Sequence, residues 1–131
     1  MVSAVAAPTI HSRLERRCIV MSDDDALAAQ LRAGLPENWS TVQTDDLSKI
    51  GGFEEVLQHR FLLLDLDATA AFDPLDVIRR ARGEMMLNIA IFCFGGTPQA
   101  RDAARLARAD RFFERGEIAG KLAALCEQFG W

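Results

Sequence analysis

Four runs of apolar residues punctuate the chain: CIVM (18–21), FLLL (61–64), IAIFCF (89–94) and FF (112–113). A fifth, weaker run, WSTVQT (39–44), is rich in β-formers. Continuous rather than alternating apolarity predicts strands covered on both faces, as in a parallel sheet. The segments between them carry helical signals. DDDALAAQLRAGLP places Leu27, Leu31 and Leu35 on one face, opens on acids and closes at Gly34 and Pro36. DPLDVIRRAR offers Asp73 as an N-cap and Pro74 at the first helical position, and TPQARDAARLARA repeats the device with Thr97 and Pro98. GEIAGKLAALCEQFG brings Ile118, Leu122 and Leu125 to one side. Gly51-Gly52 shortens the helix between the second and third strands to an expected span of 53–59. The order is five β-α units with short connections. With right-handed crossovers it predicts an α/β, doubly wound (βα)5 sandwich with helices on both faces. Ligand sites in such sheets lie beyond the carboxyl ends of the strands.

Length and charge narrow the picture. The chain has 131 residues, about one domain, and residues 17–131 are expected to form it, with 1–16 a flexible polar tail. A net charge of −4 and a pI near 5.1 argue against nucleic acid as a partner. No apolar run approaches the ~20 residues of a membrane span, and the N-terminus lacks the order of a signal peptide. Cys18, Cys93 and Cys126 are far apart and odd in number, which excludes a disulfide framework and a structural zinc site. A cytoplasmic protein without a membrane partner is the expectation.

Acid collects where the strands end. The first is followed by Ser22, Asp23, Asp24 and Asp25, and the third, in RFLLLDLDAT, by Asp65 and Asp67. Carboxylates converging from neighbouring strands suit a hard cation such as Mg²⁺. Asp25 reads as a first-turn helix acid, whereas Asp23 and Asp65 read as site residues. Asp65 and Asp67 project to the same side of a strand, about 6.6 Å apart along it, so periodicity does not choose between them.

VMSDDDAL, FLLLDL and ADRFFERG, in this order and spacing, make the chain from about Arg17 onward resemble the receiver domain of response regulators, of the chemotaxis-receiver type. The resemblance implies a flavodoxin-like sheet in strand order 2-1-3-4-5. It implies Asp65 as phosphoacceptor, Cys93 at the Thr/Ser position, Arg115 at the Lys position and Phe112 as the aromatic switch. Metal-binding roles for Mg²⁺ fall on Asp23, Asp65 and the Asp67 backbone carbonyl, with Asp24 as a lesser choice. The chain would then be no enzyme beyond self-phosphorylation and autodephosphorylation at Asp65. Its partners would be a histidine kinase or phosphotransfer protein and a downstream protein.

The chain also departs from that pattern. Ser22 stands where a carboxylate is usual, Cys93 where a hydroxyl is, and Arg115 where a lysine is; arginine and lysine are not equivalent at a tight site. Phe94 follows at a position that is usually small, where a ring either covers the pocket or packs under a helix. Two readings follow. One is a working single-domain receiver in two-component phosphorelay signalling. The other is a phosphorylation-independent pseudo-receiver, a protein-interaction module. Arg101, Arg105 and Arg108 form a basic stripe on the fourth helix, a candidate homodimer surface with the fifth strand and fifth helix.

Overall fold

The computed structural model describes residues 15–130. The expected tail therefore falls almost wholly outside the described residues, as does Trp131. Five parallel strands form one sheet in the order β2-β1-β3-β4-β5: β1 (Arg16–Met21), β2 (Trp39–Gln43), β3 (Phe61–Asp65), β4 (Ala90–Phe94) and β5 (Arg111–Phe113). The expected order is the observed one. Helices α1 (Asp25–Ala33), α2 (Phe53–Leu57), α3 (Pro74–Arg79), α4 (Pro98–Leu106) and α5 (Ile118–Gln128) connect or follow the strands.

Local chemistry sets the helix starts. Asp24 caps α1 by accepting from Leu27 N–H, Asp73 caps α3, and Thr97 caps α4, with Pro74 and Pro98 in the first turn of α3 and α4. Expected to run 53–59, α2 ends two residues earlier, at Leu57. Two short elements gave no periodic signal: a 3₁₀ turn at Leu47–Lys49, and a π-helical segment at Arg80–Glu84 that continues α3.

The strands alternate between two cores. Ile19, Met21, Leu62, Leu64, Ile91 and Cys93 face one side and pack with Val56 of α2, Ile78 of α3 and Ala104 of α4. Cys18, Val20, Phe61, Leu63, Phe92 and Phe94 face the other and pack with Leu27 and Leu31 of α1 and Ile118, Leu122 and Leu125 of α5. Both faces of the central strands are covered, which is why their apolarity is unbroken in sequence. Each large side chain so buried stabilises the fold by roughly 1.5–3 kcal/mol. Because β1 and β3 are neighbours, the crossovers leave in opposite directions between them, and the pocket opens at their carboxyl ends.

Candidate functional site

Asp65 is the last residue of β3 and is fully buried. Its carboxylate has about four lone-pair sites, and four donors fill them. Oδ1 accepts from Asp67 N–H (2.9 Å) and Arg115 Nη1 (2.7 Å). Oδ2 accepts from the Ser22 hydroxyl (2.7 Å) and Arg115 Nη2 (3.0 Å). The Arg–carboxylate fork is the strong, planar geometry that a lysine cannot reproduce.

Arg115 spans further. Its Nη2 also reaches Asp24 Oδ2 (2.8 Å), its Nη1 reaches Asp67 Oδ2 (3.2 Å), and its guanidinium carbon lies 5.5 Å from the centre of the Phe94 ring. The hydrogen bond to Asp65 is the main cause holding the Arg115 pKa above its ordinary value. In turn, Arg115 and the Leu27 N–H hold Asp24 below the ordinary carboxylate value. Asp67 is steadied by Gly96 N–H (3.0 Å). Gly95 has φ +71°, and a Cβ there would collide with the Asp67 carboxylate, so only glycine suits this approach.

The expected site residues divide accordingly. Asp65, Arg115 and Asp67 meet, Asp67 joining through its N–H and its carboxylate. Asp23 does not join: it stays exposed, and Asp24 takes the pocket instead. The reason is local. The Ser22 hydroxyl, buried against Asp65, accepts from Asp24 N–H (3.0 Å), which turns Asp24 into both cap and pocket wall. Cys93 does not line the pocket either. Parallel pairing sets Asp65 beside Phe94 and Leu64 beside Cys93, so Phe94 shares the face of Asp65 while the thiol lies in the opposite core. Burial pushes that thiol up to about 12.

The basic stripe is also redrawn. Arg101 Nε donates to the Gly95 carbonyl (2.9 Å) and its Nη1 to Glu114 (3.1 Å), which ties α4 to the pocket loop. Arg105 pairs with Asp102 and lies 4.8 Å over the half-buried Phe112 ring. Arg108 lies beyond the end of α4 and does not continue the stripe.

A divalent ion does not fit this arrangement. Three carboxylates against one guanidinium leave the pocket formally negative. An ion would nonetheless need Asp65 to release one of its four donors, and the Arg115 guanidinium already bridges the acids. Among the described residues, no group of three or more His, Cys, Asp or Glu side chains is placed to hold a metal. No helix among them is long and apolar enough to cross a membrane.

No family model matches the chain, and no curated protein matches it in sequence. Solved structures do match in fold. A response-regulator signal receiver domain from Bermanella marisrubri is 20% identical, with a TM-score of 0.67, covering 88% of this chain and 98% of that one. The phosphorylated cyanobacterial phytochrome response regulator RcpA is 10% identical, with a TM-score of 0.70 over 88% and 94%. HP1043, an orphan response regulator of H. pylori, is 16% identical, with a TM-score of 0.66 over 88% and 97%. The fold of this chain is that of response-regulator receiver domains, and at such identities the likeness speaks for the fold alone.

Proposed function

We infer that the chain is a receiver-fold protein-interaction module of signalling systems whose conformation does not depend on phosphorylation. The observation that carries this reading is the saturation of Asp65 by Arg115, Ser22 and the Asp67 N–H. Nucleophilic attack by a carboxylate needs a free lone pair aimed at phosphorus, and here each is engaged by a donor. A phosphoryl group would bring nearly two further negative charges into a pocket of three carboxylates. Phe94, fully buried beside Asp65, puts an aromatic ring where a hydroxyl would meet the phosphoryl oxygens.

A second reading keeps Asp65 as phosphoacceptor for a histidine kinase or phosphotransfer protein. It is favoured by one observation: the Arg115 side chain is 34% exposed, so it has room to leave Asp65 and follow an incoming phosphoryl group. A homodimer through α4, β5 and α5 has less support, because Arg101 and Arg105 are engaged within the chain.

Incubation with acetyl phosphate and Mg²⁺, followed by intact mass, separates the two readings. The interaction module predicts no mass gain and no change in the amide spectrum with beryllofluoride. A gain of one phosphoryl group that disappears in Asp65→Asn would establish the phosphoacceptor and overturn the first reading.

A further inference from the structure

Outside the pocket, the surface between α3 and α4 combines several features that packing does not explain. A groove of about 390 Å³ runs between the π-helical segment and α4, with Arg79, Gly83, Ala103, Leu106 and Arg108 in its walls. A second groove, of about 350 Å³, continues from it past Arg108 to Met86. Leu106 is 86% exposed and Met86 74% exposed, the highest values among the large apolar residues that remain exposed. Small residues lining the groove beside large exposed apolar ones suit an inserted side chain.

Backbone conformation points to the same place. The end of α4 is a Schellman motif: Ala109 N–H donates to Ala104 O and Arg108 N–H to Arg105 O, both at 3.0 Å. Arg108 takes the left-handed position of that motif at φ 81°, where glycine is favoured and a Cβ is strained. Met86 is left-handed too, at φ 52°. Among the described residues the Arg108 guanidinium has no hydrogen bond or ion pair, so its side chain makes no polar contact that would explain an arginine rather than a glycine at this position. A strained arginine with an idle side chain is a reason to look for a ligand.

The charges around the groove say of what kind. Neighbouring acids are engaged: Asp102 by Arg105, Glu84 by Arg80, and Asp110 by the largely buried Arg82. Among the described residues Arg79 and Arg108 are left without partners, on a chain whose net charge is −4. Two guanidiniums flanking an exposed leucine complement carboxylates flanking an apolar side chain. They are too few to track a phosphate backbone.

We propose that the α3–α4 groove is a docking site for an acidic amphipathic segment of a partner protein, its apolar side chains seated on Leu106 and Met86 and its carboxylates on Arg79 and Arg108. This rests on the interaction-module reading and names the surface that module uses.

The test titrates the full chain with a helical peptide of about 15 residues, with leucines on one stripe and glutamates beside them. Its controls are the same peptide with lysine for glutamate and a short DNA duplex. The expected result is amide shifts centred on Gly83, Ala103, Leu106 and Arg108 with the acidic peptide alone. Arg108→Gly should weaken binding about fivefold, the scale of one exposed ion pair, yet raise the melting temperature by about 3 °C because the strain is relieved. Leu106→Glu should abolish binding. A merely structural arginine would not separate affinity from stability in this way. The proposal is overturned if the peptide shifts residues elsewhere, if it shifts none either with or without beryllofluoride, if the lysine peptide or the duplex binds as well, if Arg108→Gly binds like the parent, or if sedimentation shows a second copy covering the groove. Repeating the titration with beryllofluoride and Mg²⁺ separates the two inferences. Binding that appears only with beryllofluoride keeps the groove and overturns the phosphorylation-independent reading.

Discussion

Arg115 and Asp65, fifty residues apart, meet in a two-pronged ion pair of 2.7 and 3.0 Å at the mouth of the sheet. The guanidinium lies over Phe94 and also reaches Asp24 and Asp67, so one side chain holds the ends of β1 and β3 together. Removing it would leave the fully buried Asp65 carboxylate with two of its four donors.

Arg115→Ala should therefore destabilise the fold by about 1.5–3 kcal/mol, the cost of losing hydrogen bonds to a buried charged group. Arg115→Lys should recover only part of this, because one ammonium cannot bridge three carboxylates. Urea denaturation at neutral pH measures both; parent-like stability in Arg115→Ala would show that the pair contributes nothing net.

Acidification should weaken the fold in two windows. Burial holds the His59 pKa below its ordinary 6.5, so the unfolded chain binds a proton that the folded chain does not. That contribution is lost as pH falls through the unfolded value toward the folded one. Asp24 is held below its ordinary 3.8, chiefly by Arg115, so its contribution is present above that value and lost as pH falls through the lower folded one. Denaturation midpoints between pH 7 and pH 2.5 should step down in both windows, and Asp24→Asn should remove part of the lower step only.

All three cysteines should resist alkylation in the native state. Burial pushes Cys18 up to about 11 and Cys93 and Cys126 up to about 12, so little thiolate forms at pH 8. Iodoacetamide followed by intact mass should show no adduct natively and three in urea. Rapid native labelling of Cys93 would mean that its thiol is not in the core.

Gly95→Ala should cost stability out of proportion to its size. The left-handed backbone alone costs about 1–2 kcal/mol, and the new Cβ collides with the Asp67 carboxylate that Arg115 holds. Thermal melting checks the loss, and adding Asp67→Ala should restore part of it by removing the collision.

Much of this molecule was legible in one dimension. Strands covered on both faces write unbroken apolar runs, and capped helices write Asp73-Pro74 and Thr97-Pro98 into the chain, so element order and the acidic end of β3 could be read directly, whereas sheet order followed from the resemblance to receiver domains. The π-helical segment left no such mark, because its single wide turn lacks a hydrophobic period.

Which neighbour stands beside Asp65 was decided by the tertiary structure alone. Pairing register differs by one residue between Cys93 and Phe94, and a one-residue difference in a strand reverses the face, so counting along the chain named the thiol where the sheet presents a ring. The same holds for the acids after β1, where a hydroxyl contact from Ser22 selects Asp24 over Asp23. The sequence by itself determined the sheet, the end at which chemistry gathers, and the presence of Asp65 and Arg115 there. Only the folded chain decided that these two occupy each other, because a hydrogen bond across fifty residues depends on distances no local pattern contains.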